Sequence, residues 1–314
     1  MNQRRGSLSA GPIAVAGMAS AGLLISGFLL FLFAVPVQVV YSRYGRGNGV
    51  AAALVSAAVG VLYYLFRIVQ LSAEPPIGLS SFWVEALVPF TMVGGLLIAN
   101  ELKRPWWQRI VIAGAVAALG FVPSLVMLLR GVDEGLQAQI EEAVRALGFF
   151  QDPEFVLETF IATIQNTALF GIVITTAANW WLGRSLARVE PDVSLARGLA
   201  RLPDALLWAL IVALGALVAS WPLDSELLTV IGWNGLLIVS LLYGVQGVAV
   251  VQHLMRKRRP EAGPGMERAV VTIALLLLVT RINIVPAVAL PLLGVSETWI
   301  DFKRGVNHEG NPES

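Results

Sequence analysis

ALLWALIVALGALVASWPLDSELLTVIGWNGLLIVSLLYGVQGVAVVQ, residues 205–252, carries only two charged side chains, Asp224 and Glu226, and they stand together in its middle. The apolar runs on either side, 205–222 and 227–252, are each close to the about 20 residues a helix needs to cross a hydrocarbon core. The segment reads as two membrane-spanning helices joined at an acidic turn. Working outward with the same measure gives about eight candidate spans, at roughly 13–40, 50–70, 81–100, 110–130, 158–182, 205–222, 227–252 and 269–294. The fold class is all-α, a polytopic transmembrane helix bundle, with 1–314 forming a single integral membrane domain. The first span is long enough to tilt, or to break at Pro36 into a helix and a re-entrant piece.

Composition agrees with a bilayer as solvent. Of 314 residues 56% are hydrophobic and 14% charged, and the mean hydropathy is +0.73, too little polar surface to cover a soluble globule of this size. The net charge of +1 conceals segregated charges and gives no support for nucleic-acid binding. The absence of cysteine excludes disulfides, thiolate metal sites, iron–sulfur clusters and cysteine nucleophiles. Arg4 and Arg5 precede an apolar run as in a signal peptide, but the run continues past the length of a cleavable one and reads as a retained first helix.

Lysine and arginine set the orientation. One set of loops holds Arg43 and Arg46; Lys103, Arg104 and Arg109; Arg184, Arg188, Arg197 and Arg201; and Arg256, Lys257, Arg258, Arg259 and Arg268. The other holds only Arg4, Arg5, Arg130, Arg145, Lys303 and Arg304, so the first set faces the cytoplasm. Eight plain spans put both termini outside, against Arg4 and Arg5; a first span that doubles back at Pro36 returns the N-terminus to the cytoplasm. Both options stand. Trp106, Trp107, Trp180, Trp181 and Trp208 fall at inner span ends and Trp83, Trp221 and Trp299 near outer ones, as an aromatic belt requires.

Between the fourth and fifth spans, Leu136, Ile140, Val144 and Leu147 recur at helical spacing, so 131–157 is an extracytoplasmic amphipathic segment. Asp152-Pro153-Glu154 then caps a new helix. Leu195, Leu199 and Leu202 alternate with Arg197 and Arg201, either a short basic interfacial helix or an ordinary basic loop.

Polar groups at membrane depth are expensive and are the candidates for function. Arg281 lies near the middle of the last span beside Asn283, and Glu85 is the carboxylate placed to be its counter-ion. The plain alternative is a structural ion pair. Asn166 and Asn179 in the fifth span and Asn234 and Gln246 in the seventh either line a polar cavity with the eighth span or are interhelical glue. Gly244 with Gly247, and Gly94 with Gly95, read as places of close helix approach. His253 and His308 are isolated and make no metal site. No P-loop, HExxH, GxSxG or kinase signature occurs, so the chain reads as no enzyme, with no cofactor and no ATPase of its own.

The stretches Leu202-Pro203-Asp204 with Trp208, Asn234, Leu242-Tyr243-Gly244-Val245-Gln246-Gly247, the basic loop at Arg256, and Glu297-Thr298-Trp299-Ile300-Asp301-Phe302-Lys303 resemble the YybS-like bacterial membrane proteins, a family with a domain of unknown function. The likeness covers about 200–304; the N-terminal half agrees mainly through Pro36 and the 43–49 turn. Glu297-Thr298-Trp299 stands where the family shows Asp-Ser-Trp, and Lys303 where it shows Arg. The resemblance implies a multi-pass protein of the bacterial cytoplasmic (inner) membrane. More remotely it implies a likeness to substrate-binding subunits of energy-coupling-factor vitamin transporters, whose first helix docks a coupling subunit through small residues. Ala10, Ala14, Gly17 and Ala21 offer such residues.

The expected function is a small-solute-binding transport component without its own ATPase, with Arg281, Asn283, Glu85, Asn166, Asn179, Asn234 and Gln246 as solute contacts. Its partners are the lipid bilayer and the coupling and ATPase subunits of a transporter. The alternative is a non-catalytic scaffold or envelope assembly factor that engages other proteins through Trp299, Asp301 and Phe302.

Overall fold

The computed structural model describes residues 10–26, 29–71, 79–129, 153–187, 202–258 and 284–300, and all regular structure there is helical. The elements are α1 (Ala10–Ile25), a 3-10 turn (Leu30–Leu32), α2 (Val35–Tyr44), α3 (Arg46–Leu71), α4 (Leu79–Glu101), α5 (Trp106–Leu129), α6 (Pro153–Leu186), α7 (Ala205–Leu223), α8 (Glu226–Arg258) and α9 (Ile284–Ser296). They fall into two compact units, Met1–Pro191 and Asp192–Ser314. Arg46–Phe66, Trp106–Pro123, Ala205–Leu223 and Glu226–Met255 are long and apolar enough to cross a membrane; Ala10–Ile25, Leu87–Glu101 and Val285–Ser296 are shorter apolar helices.

In the first unit, the expected span 13–40 is two helices, not one. Val37 and Val40 of α2 pack with Ile13 and Ala16 of α1, and Ser20 Oγ donates to the Phe33 carbonyl at 2.5 Å, so α2 runs back along α1. The reversal lies between Ile25 and Val35, ahead of Pro36 rather than at it. Pro36 sits in the first turn of α2, where its missing N–H breaks no helical bond. Gly45 alone joins α2 to α3, at φ 92°, a region costly for any side chain, and its N–H bonds the Tyr41 carbonyl. The hairpin therefore returns the start of α1 to the end of the unit where Arg43 and Arg46 stand, the second of the two options for the first span.

Lipid tails give helices no hydrophobic reason to associate, so close packing of small residues must do it. Gly49, Ala52, Ser56 and Gly60 recur at helical spacing on the buried face of α3, against which α1 and α2 lie. Gly95 of α4 rests on Ala113 of α5, and Thr91 Oγ1 donates across to the Ala117 carbonyl at 3.1 Å. At one end the Tyr41 hydroxyl donates to Glu101, Arg46 Nε lies 4.0 Å from Glu101 Oε1, and Trp180 Nε1 donates to Asn100 Oδ1. Arg43, Arg46, Lys103, Arg104 and Arg184 are thus gathered at a single end, as the loop charges predict. α6 begins at Pro153, as its capping sequence predicts. The expected interfacial helices at 131–151 and around 195–201 lie outside the described residues.

In the second unit, Asp224 takes the left-handed conformation (φ 46°) and closes a tight turn between α7 and α8. The two helices run antiparallel, Gly232 beside Leu217 and Gly235 beside Ala213. α9 meets α8 where Gly247 faces the Leu290 carbonyl and Gly294 the Tyr243 carbonyl. Gln246 Nε2 donates to Glu297 Oε2 at 2.9 Å, and Gln246 Oε1 accepts the Leu202 N–H at 3.4 Å.

Glu297 consequently sits at the level where α7 starts. The expectation placed Trp299 near an outer span end; the contacts hold the segment just before it level with Leu202. Counting apolar runs treats each as one crossing, and parity then assigns the tail; the glycine contacts instead hold the end of α9 beside residues 243–247. Because the chain has no cysteine, single replacements report sidedness without background. In sealed vesicles, Trp299→Cys and Asp204→Cys should react with an impermeant maleimide from one face and Asp224→Cys from the other. Labelling of Trp299→Cys together with Asp224→Cys would contradict this placement.

Candidate functional site

α6 carries one buried stripe, Ile172, Thr176, Asn179, Trp180 and Gly183, at helical spacing. α2 lies against it: a side chain at Gly183 would collide with Gln38, which is fully buried. Three polar side chains then join three helices in series. Trp180 Nε1 donates to Asn100 Oδ1 at 3.0 Å, and Asn100 Nδ2 donates to Gln38 Oε1 at 2.8 Å. An indole N–H can only donate, so it fixes which way the Asn100 amide points, and Asn100 in turn fixes Gln38. Immediately before Trp180 on α6, Asn179 Nδ2 donates to the carbonyls of Phe31 at 2.6 Å and Thr175 at 2.8 Å, which fixes its orientation as well.

This arrangement leaves Gln38 Nε2, a donor, and Asn179 Oδ1, an acceptor, without a hydrogen-bond partner among the described residues, although both side chains are fully buried. Trp106 Nε1 and Ser42 Oγ, on half-buried residues, also have no hydrogen-bond partner among the described residues. The guanidinium of Arg184 stacks over the Trp180 ring, 5.0 Å from its centroid. The seam between α2 and α6 therefore holds two buried amides, Gln38 with a donor and Asn179 with an acceptor unsatisfied among the described residues, beside the Arg184 guanidinium on Trp180.

The second unit holds a separate polar centre. Three segments far apart in sequence, at Leu202, Gln246 and Glu297, meet through the two ends of one amide. Glu297 is 3% exposed, and Tyr243, one turn before Gln246 and fully buried, has a hydroxyl with no hydrogen-bond partner among the described residues.

Of the residues expected from sequence, Asn179 lies in the α2–α6 seam and Gln246 in the Glu297 centre. Asn234 is buried on α8 and donates to the Val230 carbonyl of its own helix, at 2.9 Å. Asn166 is half-buried on α6. Glu85 belongs to α4, and its side chain lies outside what is described; Arg281, Asn283, Asp301 and Phe302 lie outside the described residues altogether. Trp299 is 70% exposed.

Sequence reasoning missed Gln38, Asn100 and Glu297. Gln38 is a lone amide in the run Val35-Pro36-Val37-Gln38-Val39-Val40, the same signal that Asn166 and Asn179 give in the fifth span.

Residues 160–295 match the model of a family described as a predicted membrane protein (DUF2232). The matched region runs from within α6 into α9, and so contains Asn179, Asn234 and Gln246 but not Gln38 or Asn100. It agrees with the membrane setting that the apolar helices require. No curated protein and no solved structure matches the chain.

Proposed function

We propose that this chain is a small-solute-binding component of a transport system of the bacterial cytoplasmic membrane, non-catalytic and without an ATPase of its own. The observation that carries the reading is the α2–α6 seam, where Gln38 Nε2 and Asn179 Oδ1 are buried without partners among the described residues. A buried polar group left unsatisfied costs about 1–3 kcal/mol. For packing alone, an apolar residue at either position would serve better, whereas a solute presenting an acceptor and a donor would complete both amides. The resemblance to the YybS-like proteins, and through them to energy-coupling-factor subunits, supports the same reading and names the partners to look for, a coupling subunit and an ATPase pair. Arg281, Asn283 and Glu85 are proposed as further solute contacts.

The test joins a thermal-unfolding solute screen on the purified protein to identification of proteins that copurify from native membranes. At about a hundred times its Kd, a bound solute adds roughly 2.7 kcal/mol of stability. Asn179→Ala and Arg281→Ala should each remove that gain while remaining folded. A second reading, a scaffold or envelope assembly factor, is favoured by one observation: Trp299 and Ile300 are 70% and 55% exposed immediately after the buried Glu297. Recovery of envelope assembly proteins with no ATPase, together with no stabilising solute, would replace the transport reading with this one.

A further inference from the structure

A cavity of about 320 Å³ lies in the first unit between the α1–α2 hairpin, α3 and α4. Leu24 and Phe33 from the hairpin, Leu54 and Ala57 from α3, and Phe90 and Leu97 from α4 form its walls. Ser56 is the one hydroxyl among its lining residues, and its Oγ already donates to Ser20 Oγ at 3.0 Å. A polar solute placed here would lose its hydrogen bonds to water and regain none. A hydrocarbon chain loses nothing.

Shape and charge agree on what kind of hydrocarbon. The walls run from Val50 to Ala57 on α3 and from Leu97 back to Pro89 on α4, so the cavity is elongated along antiparallel helices for about 11 Å at 1.5 Å per residue. Leu54, a wall residue, is 66% exposed, so the cavity opens sideways to the bilayer. Its Val50 and Leu97 end is one helical turn from Arg46 and Glu101. There Arg46 is 73% exposed and only loosely engaged with Glu101, at 4.0 Å, while Arg43, Lys103 and Arg104 are exposed at the same end. An apolar slot with a cationic mouth complements an amphiphile with an anionic head.

We propose that the cavity seats one acyl chain of an anionic phospholipid of the surrounding bilayer, its phosphate held by Arg46 with Arg43, Lys103 and Arg104. The site shares no polar residue with the α2–α6 seam and stands or falls apart from the solute reading.

The experiment is native mass spectrometry of the delipidated full-length protein, titrated with phosphatidylglycerol, with phosphatidylcholine of the same chains, and with inorganic phosphate. Phosphatidylglycerol should bind at least about fivefold more tightly than phosphatidylcholine, the contribution expected of one basic residue at a membrane surface, and inorganic phosphate should not compete. Gly94 lines the cavity, and a Cβ there meets nothing within 4 Å. Gly94→Leu should therefore fill the space and abolish the lipid adduct with an unchanged melting temperature in detergent; Ala53→Leu on the opposite wall should abolish the adduct too, with a lower melting temperature because Ala53 packs against the Val37, Val40 and Ala52 cluster. Arg46→Glu should remove the preference for phosphatidylglycerol but retain a weak adduct with both lipids. Unchanged phosphatidylglycerol binding in whichever cavity variant folds, equal binding of the two lipids by the unmodified protein, or full competition by inorganic phosphate would overturn the proposal.

Discussion

Gly247→Ala should be among the most damaging single substitutions in the second unit, whereas Gly244→Ala, one turn earlier on the same helix, should be close to neutral. A Cβ at Gly247 would fall on the carbonyl group of Leu290, with its oxygen and carbon both inside contact distance. That neighbour is helix backbone, which cannot turn aside as a side chain can, so α9 would have to move bodily. A Cβ at Gly244 would meet only the ring of Pro291, at 3.7 Å, an ordinary contact. Overpacking a well-packed interior costs about 1–3 kcal/mol, more where backbone must shift, and here the shift also pulls Glu297 from Gln246. The expected result is a large fall in the melting temperature for Gly247→Ala, with loss of monodisperse protein for Gly247→Leu. Gly294→Ala, against the Tyr243 carbonyl, should match it. Equal tolerance at 244 and 247 would mean that α8 and α9 do not meet here.

The same glycines show how much of the fold the chain discloses. Gly244 and Gly247 were legible as a place of close approach, and the runs in α7 and α8 as spans, because length and apolarity are local properties and the bilayer enforces both. Which helix approaches those glycines is not local. Nothing in 284–296 announces Gly294 as the partner of Tyr243, and so counting runs could not place the end of α9 beside residues 243–247. The first span failed for a related reason. Residues 13–40 satisfy the hydropathy of one long helix and also that of a hairpin, and only the Ser20 bond to the Phe33 carbonyl and the small-residue face of α3 decide between them. Of the candidate site, Asn179 was legible because an amide amid apolar residues is costly wherever it points. That Gln38 would lie against the same helix was not, since it depends on the bare surface that Gly183 presents to α2.

Asn100→Leu should cost about 2–3 kcal/mol, and Gln38→Leu much less, although the two residues share one hydrogen bond. Asn100 joins α2, α4 and α6; removing it leaves both Gln38 Oε1 and Trp180 Nε1 without the partner that Asn100 supplies. Hydrogen bonds between membrane helices average only about 0.6 kcal/mol each, so two lost bonds account for about 1 kcal/mol, and the rest is the penalty of about 1–3 kcal/mol for orphaning a buried polar group. Gln38→Leu also breaks the bond to Asn100, but it removes the Nε2 that already lacks a partner among the described residues, and it leaves Asn100, only half-buried, still held by Trp180 with a single N–H group to satisfy. Gain and loss then nearly cancel. Asn48→Leu serves as the local comparison, because among the described residues Asn48 bonds the Tyr44 carbonyl one turn away and no other, and the substitution should cost roughly 0.5 kcal/mol or less. Denaturant unfolding of the three variants orders these costs. If Gln38→Leu is as stable as the unmodified protein yet no longer responds to a stabilising solute, the glutamine is kept for the ligand and not for the fold. If Gln38→Leu is as damaging as Asn100→Leu, the seam is structural glue, and its unsatisfied donor has no bearing on what the protein binds.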